Sequence, residues 1–236
     1  MQYPFDDIDS WYLAEGAHLL ALECAQLAPL LSRIHGAYLI QIGGCADLAH
    51  VSASPVFNRF SIGTHVLADW RELPFLPDSL DLVVVMHVLE YLDSPVQLLE
   101  EIHQALIPGG QLIILGFNPW SLWGLSKMFN KLRAKKAFPW KGKFWSRAQI
   151  KQWLCNYGYR IAVSKTFCFY TPTRIMTKPS STSLVETLGQ LLCPGLGDVY
   201  CVVAEKKVYA LVRQPLVWWR KRAVARRRLM EPSTRA

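Results

Sequence analysis

The residues of this chain that could do chemistry lie in short segments, each placed directly after an apolar segment. They are residues 43–47, residues 69–70, residues 87–91 and residues 116–120. Among them, His87 could act as a general base because an imidazole titrates near neutral pH, although a histidine at such a place more often packs or bonds to the backbone. The six cysteines include no Cys-x-x-Cys pair and no Cys/His cluster at zinc spacing, so no metal site is predicted.

Strands must position these segments. Residues 82–86 form a continuous apolar, β-branched run, which is typical of a strand buried on both faces. Further strands are predicted at residues 38–42, 111–116, 159–169 and 199–208. Because these strands alternate with helices, we expect an α/β fold with a mainly parallel sheet, in which ligands bind at the carboxyl ends of the strands.

Three helices are predicted between the strands. Apolar residues recur at spacings of three and four over residues 11–27, and Pro29 should end that helix. The other two helices should each begin with a capping box, at Ser94 to Gln97 and at Ser146 to Gln149.

The central part of the chain resembles a known family. The motifs are Leu73-Pro74-Phe75, the run Asp78-Ser79-Leu80-Asp81-Leu82-Val83-Val84, then His87-Val88-Leu89-Glu90-Tyr91 and Ile107-Pro108-Gly109-Gly110. They resemble the class I S-adenosylmethionine-dependent methyltransferases, and among these the type 11 group that includes ubiquinone- and biotin-pathway enzymes. Residues 116–125 also resemble a poorly characterised bacterial subgroup. The resemblance covers roughly residues 36–116 well and continues weakly through residues 147–157 and 199–208.

The resemblance implies a Rossmann-like class I methyltransferase fold, in which the sheet is mainly parallel and the last strand antiparallel. It also implies S-adenosyl-L-methionine as the cofactor, with the loop after the first strand holding its methionine end. That loop is degenerate here: Gln41 stands where the family has an acid, Gly43 keeps the first glycine with Gly44 beside it, Cys45 replaces the second glycine and Asp47 the third. The Gln41 carbonyl could still accept a hydrogen bond from an ammonium group. A plain strand-to-helix turn is the alternative.

The second and third strands of the family are abbreviated in this chain. Residues 56–62 are the only candidate for the second strand, and they lack the acid that binds the ribose hydroxyls in the family. Only Gly63-Thr64-His65 separate them from the apolar residues 66–68, whereas a parallel crossover needs about a dozen residues. Either the two segments pair antiparallel or one of them is not a strand.

Other site residues follow from the resemblance. Asp69 matches an acid near the adenine amino group, and Trp70 could stack on the adenine; the alternative is that Asp69 caps its loop or pairs with Arg71. His87 lies where the acceptor and the sulfonium meet in the family, and Tyr12 and Gly16 of the first helix could face the cofactor. No catalytic residue is assigned, because transfer from a sulfonium needs mainly positioning and desolvation.

The net charge of +8 is divided unevenly along the chain. Residues 1–101 have a net charge of −11, residues 102–185 of +13 and residues 186–236 of +6. The acidic part coincides with the expected cofactor half and suits a cofactor that bears a sulfonium and an ammonium.

The basic part is expected to contain a lid and a tail. We expect a methyltransferase-like domain over residues 1–212, a basic aromatic lid within it at residues 117–146, and a basic tail at residues 213–236. The lid could cover an apolar or acidic acceptor, rest on an anionic membrane, bind RNA, or simply expose lysines above packed aromatic rings. The tail fits a peripheral membrane anchor, a nucleic-acid arm or a disordered solubilising segment.

Two hypotheses of function follow. The first is an S-adenosylmethionine-dependent methyltransferase that acts on a small or lipid-like acceptor. The alternative is a methyltransferase-fold binding protein without catalysis, associated with membrane or RNA through its basic half. Because the sequence shows neither a secretory signal nor an apolar stretch of bilayer length, we expect a cytoplasmic location, with peripheral contact to the inner membrane as a variant.

Overall fold

A computed structural model of the chain describes residues 8, 10–13, 16–45, 47–63, 65–66, 68–121, 123–125, 142–169 and 195–207. Its elements in chain order are α1 (Ala17–Leu31), β1 (Tyr38–Gly43), β2 (Asn58–Ile62), β3 (Leu80–Met86), α2 (Pro95–Ala105), β4 (Leu106–Phe117), α3 (Arg147–Asn156), β5 (Tyr159–Phe167) and β6 (Val199–Lys206). Short 3₁₀ helices lie at Ala49–Val51 and Leu89–Tyr91.

The described strands form one sheet in the order β2-β1-β3-β4-β6-β5. Strands β2, β1, β3 and β4 are parallel, and β6 runs antiparallel to both β4 and β5. The α/β fold class, the mainly parallel sheet and the antiparallel last strand are thus confirmed. Because four strands are parallel and β6 starts beside the end of β4, the carboxyl ends of β1, β3 and β4 and the start of β6 share one edge.

The abbreviated region beside β1 is resolved by the structure. Residues 58–62 form the edge strand β2, whereas among the described residues after it only an isolated parallel bridge joins Ile62 to Val66. The turn between them is tight, because the Gly63 N–H donates to the Val66 carbonyl at 2.8 Å. Of the two alternatives, the second therefore holds: the segment after His65 is not a strand.

Helix α1 differs from its prediction. Residues 10–13 are helical, as predicted, but Gly16 is not, so α1 itself starts at Ala17. It continues through Pro29 to Leu31, so the proline stands inside its last turn and does not end it. Its buried residues are Leu19, Glu23, Leu27 and Leu31. The helix is apolar around most of its circumference, and for that reason the spacing of apolar residues could not identify the face that packs on the sheet.

Two local signals also differed from the structure. The predicted capping box at Ser146 is present, with Gln149 as its partner, but in the described part of the chain the Ser94 side chain makes no capping hydrogen bond. Strand β4 starts at Leu106, earlier than predicted, and includes Pro108-Gly109-Gly110. An irregularity in its pairing with β3 accommodates these residues, which is the usual place for proline and glycine within a sheet.

Part of the basic half lies outside the described residues. This applies to residues 126–141 of the predicted lid and to the whole predicted tail, so the lid and tail remain predictions. No helix within the described ranges is long and apolar enough to cross a membrane.

Candidate functional site

The carboxyl edge of the sheet holds a buried cluster of polar side chains. The cluster, named here the Glu23 cluster, consists of Tyr12, Glu23, His50, His87 and Glu90, each of which is at most 2% exposed. The segment before α1 supplies Tyr12, α1 supplies Glu23, and the two 3₁₀ helices supply His50 and Glu90. His87 directly follows β3. Buried polar groups are stable only when they form hydrogen bonds, and most of the hydrogen bonds of this cluster join its own members.

Glu23 is the centre of this cluster. Its Oε2 accepts the Tyr12 hydroxyl at 2.7 Å and lies 2.9 Å from His50 Nε2, and its Oε1 lies 2.7 Å from His87 Nε2. The Cys45 N–H donates to His50 Nδ1 at 3.4 Å, so Nε2 is the nitrogen through which His50 donates to Glu23. The carboxyl group of Glu23 thus joins the N-terminal segment, the loop after β1 and the end of β3.

The charges within the cluster stabilise one another. Burial by itself would raise the pKa of Glu23, but His87 and the hydrogen bonds from His50 and His87 lower it to about 2. Burial by itself would lower the pKa of His87, but the charge and hydrogen bond of Glu23, together with Glu90, raise it to about 9. At neutral pH the arrangement is therefore a buried carboxylate–imidazolium pair.

The loop after β1 packs tightly in a left-handed conformation. Gly43 and Gly44 have φ angles of +76° and +73°, which glycine adopts without strain. A Cβ at Gly43 would collide with the Val88 side chain and the Met86 carbonyl, and one at Gly44 would lie 3.0 Å from His50 Nδ1. Among the predicted cofactor residues, the structure brings Gln41, Gly43, Gly44, Cys45 and His87 together at this edge.

Gln41 leaves one polar atom without a partner. Its buried amide donates through Nε2 to the carbonyls of Gly43 and Cys45, at 2.8 and 2.7 Å, and thereby fixes the loop. Its Oε1 is buried and has no hydrogen-bond partner among the described residues. A buried carbonyl oxygen in that state fits a hydrogen-bond donor such as an ammonium group. The residues at this end of the loop therefore fit the methionine end of S-adenosylmethionine.

The residues predicted to hold the adenosine part of the cofactor match that role less well than the loop residues match theirs. Asp69 is exposed and accepts the Arg71 N–H at 3.0 Å, so it caps its own turn, and the half-buried Trp70 ring lies under the Arg71 guanidinium at 4.7 Å. Neither residue belongs to the Glu23 cluster. Strand β2 ends at Ile62-Gly63, and no carboxylate of that strand is available to hold ribose hydroxyls. The role of Asp69 and Trp70 in cofactor binding stays a prediction.

Two further side chains at this edge hold the backbone. Glu90 Oε1 accepts the Phe117 N–H at 2.8 Å and so ties the end of β3 to the end of β4. The Asn118 side chain donates to the carbonyls of Gly195 and Gly197 and accepts the Trp120 N–H. The Asn118 side chain therefore has a structural role, because it bonds to backbone groups.

The sequence did not assign a site role to Glu23, His50 or Tyr200. One signal could have found Glu23, because it is the only Asp, Glu, Lys or Arg within the apolar helix Ala17–Leu31, and such a residue is rarely buried unless it is paired. His50 carries no comparable signal, since a histidine in a loop is ordinary.

Comparisons with known proteins agree with this geometry. A family model described as a methyltransferase domain matches residues 35–114. The uncharacterised protein YafS of Escherichia coli K12 is 26% identical over 196 residues, which are 81% of this chain and 77% of YafS.

Solved structures share the fold at low sequence identity. One is a methyltransferase in complex with the Trm112 methyltransferase activator of Haloferax volcanii, with a TM-score of 0.58 and 17% identity over 85% of this chain and 98% of that chain. Another is an S-adenosylmethionine-dependent methyltransferase of Thermotoga maritima, described as a possible histamine N-methyltransferase, with a TM-score of 0.56 and 17% identity over 86% and 96% of the two chains. Residues 35–114 are therefore similar to a methyltransferase domain, and the chain has the Rossmann-like fold seen in solved structures of S-adenosylmethionine-dependent methyltransferases.

Proposed function

We propose that the chain is an S-adenosylmethionine-dependent methyltransferase that acts on a small or lipid-like acceptor. The observation that carries the proposal is the buried, unpartnered Oε1 of Gln41 beside the two left-handed glycines. It supports a ligand with a hydrogen-bond donor at the end of β1, where ligands bind in open parallel sheets. The match to a methyltransferase domain supports the nature of that ligand.

The residues proposed to hold the cofactor divide into two groups. Gln41, Gly43, Gly44 and Cys45 would hold its methionine end, while Asp69 and Trp70 would hold its adenine. When bound, the cofactor supplies a methyl group on a sulfonium, which is already activated for transfer. The chain's own contribution is to orient the acceptor and to exclude water, and the buried Glu23 cluster provides a rigid wall for both.

The acceptor side of the edge is lined with aromatic rings. The centroid of the Phe117 ring lies 4.1 Å from that of the His87 ring, 5.5 Å from that of Trp123 and 5.3 Å from that of Phe144. Such rings suit an acceptor with a flat or apolar body. They support a small or lipid-like molecule rather than a strongly charged one.

A binding protein without catalysis is the second candidate. It is favoured by the packing of Val88, Met86 and His50 against the glycine loop and by the absence of a carboxylate in β2. Cofactor binding separates the two candidates, because the second predicts that the site binds no S-adenosylmethionine.

Calorimetric titration with S-adenosylmethionine and S-adenosylhomocysteine tests the proposal. We expect both to bind at submillimolar concentration, and we expect Asp69→Ala to weaken binding about tenfold because it removes a hydrogen bond to the adenine. The matched control is Asp78→Ala, which removes an exposed carboxylate just before the start of β3, where it contacts Lys206. The absence of binding at millimolar cofactor would overturn the enzyme hypothesis, and an unchanged affinity of Asp69→Ala would overturn the proposed adenine site.

A further inference from the structure

Three buried polar atoms beside the end of β4 have no hydrogen-bond partner among the described residues. They are Nδ1 of His87, Oε2 of Glu90 and the hydroxyl of Tyr200. All three side chains are at most 2% exposed. Burying a polar group without a hydrogen-bond partner is unfavourable, so three such atoms in one place need an explanation.

The three side chains are gathered around Glu90 and Gly116. His87 Nδ1 lies 3.6 Å from Glu90 Oε1, beyond hydrogen-bond distance. A Cβ at Gly116 would collide with the Tyr200 hydroxyl and would lie 2.9 Å from Glu90 Oε1. The absence of a side chain at position 116 therefore allows Tyr200 and Glu90 to approach each other. Because β6 pairs Tyr200 directly with Gly116, the hydroxyl is held by the sheet itself.

The protonation states make this a mixed donor and acceptor site. Burial, and then the nearby Glu90, raise the pKa of Tyr200 well above its ordinary value, so its hydroxyl keeps its proton. Glu90 Oε1 already accepts the Phe117 N–H, which leaves Oε2 as the free acceptor. The Phe117 ring packs beside this group of side chains, with its centroid 4.1 Å from the centroid of the His87 ring.

We propose that Glu90, Tyr200 and His87 form the acceptor subsite, which takes a hydroxyl or amino group carried on a flat apolar body. This inference rests on the proposed methyltransferase function. Glu90 Oε2 accepts the hydrogen of the incoming O–H or N–H group. The Tyr200 hydroxyl donates to one lone pair of a hydroxyl acceptor, or accepts a second N–H of an amino acceptor, so that one lone pair stays free for the methyl group. The His87 imidazolium lies beside Glu90, with Nδ1 3.6 Å from Oε1. The aromatic rings beside His87 contact the apolar body.

The proton balance of the reaction follows from these positions. As the acceptor is methylated, a lone pair of its oxygen or nitrogen forms the bond to the methyl carbon, and the carbon–sulfur bond breaks with its electron pair left on sulfur. Glu90 Oε2 takes the proton that the acceptor atom loses.

Residues 142–145 close the subsite in this structure. The Lys143 N–H donates to the Glu90 carbonyl at 2.5 Å, and the Trp145 indole donates to the Leu89 carbonyl at 3.0 Å. Phe144 packs on Phe117 at 5.3 Å between them. For an acceptor to reach Glu90, this segment would have to move away from the 3₁₀ helix Leu89–Tyr91.

The test uses phenol as the probe and toluene as the matched probe, which has the same ring and no donor. Dissociation constants are measured by ligand-observed NMR on the full chain and on the variants Tyr200→Phe, Glu90→Gln and Tyr159→Phe. Tyr159 is the control, because its hydroxyl is also buried and unpartnered but lies at the start of β5. Replacing an unpartnered tyrosine hydroxyl leaves the fold intact, so Tyr200→Phe tests binding and not folding.

We expect the wild type and Tyr159→Phe to bind phenol equally and about tenfold more tightly than toluene, and we expect Tyr200→Phe and Glu90→Gln to lose that preference. Equal affinity for the two probes, or unchanged phenol binding by Tyr200→Phe, would overturn the inference. Titration of the same proteins with S-adenosylhomocysteine keeps the two proposals apart. If the wild type prefers phenol but does not bind S-adenosylhomocysteine, the subsite stands and the proposed function fails.

Discussion

At the scale of single residues, the pair formed by Glu23 and His87 determines how stability depends on pH. The folded-state pKa of His87, about 9, is above its ordinary value of 6.5, so its stabilisation is complete below pH 6.5 and is lost as the pH rises through 9. The pKa of Glu23, about 2, is below its ordinary value of 4.5, so its stabilisation is complete above pH 4.5 and is lost as the pH falls through 2. The pair therefore stabilises the fold most between pH 4.5 and 6.5.

We expect the free energy of unfolding to fall by about 3 kcal/mol between pH 6.5 and 9, which corresponds to the shift in the pKa of His87. Urea unfolding at several pH values measures this decline. In Glu23→Gln the imidazole loses the larger of the two carboxylate contributions that raise its pKa, and only that of Glu90 remains, so the decline over this interval should become smaller. A decline of the same size in Glu23→Gln would show that another group causes it.

The sequence predicts which residues follow strands β1 and β3. Gln41, Gly43, Gly44, Cys45 and His87 come together because parallel strands bring their carboxyl ends to one edge. Of the partners from other elements, Glu23 left a signal as the one charged residue of an apolar helix, whereas His50 and Tyr200 could not be predicted. The positions of these partners depend on how an almost uniformly apolar helix is rotated and on which residue of β6 lies opposite Gly116.

At the scale of elements, the two sequence-predicted capping boxes provide a matched pair of experiments. Ser146 accepts the Gln149 N–H at 3.2 Å and caps α3, whereas in the described structure the Ser94 side chain makes no capping bond to α2. We expect Ser146→Ala to lower the free energy of unfolding by about 1 kcal/mol and Ser94→Ala to change it by less than about 0.5 kcal/mol. Chemical denaturation of the two variants measures both values, and equal effects would contradict the difference in capping.

The reason for that difference shows what sequence patterns leave open. Both helices begin with serine followed three residues later by glutamine, but α2 has Pro95 at its first position. The backbone of Ser94 has φ and ψ of −129° and 82°, whereas Ser146 has −73° and 147°. A capping pattern identifies where a helix starts, and the backbone leading into the helix then decides whether the side chain bonds.

At the scale of the whole molecule, the sheet order follows from a few strong signals. The β-branched run of β3 and the apolar runs of β1 and β4 give three buried parallel strands, and together they predict the class of fold. For the region after β2 the sequence left two alternatives, because a link of three residues forbids a parallel crossover but does not say which other arrangement forms. The described part of the sheet ends at Lys206, thirty residues before the last residue of the 236-residue sequence.

The last part of the chain is strongly basic. Residues 214–236 hold seven basic side chains and one acidic side chain, and Trp218 and Trp219 directly precede the first basic run. We expect the full chain to sediment with vesicles of phosphatidylcholine and phosphatidylglycerol, and a chain ending at residue 212 to remain in solution, because each basic residue near an anionic surface contributes about 1 kcal/mol. Retention should fall as salt rises, since screening shortens the range of these attractions.

A parallel RNA pull-down is the second arm of the experiment. Retention on RNA alone would assign the tail to nucleic acid, and equal recovery of both chains in both assays would exclude a role for the tail in either contact.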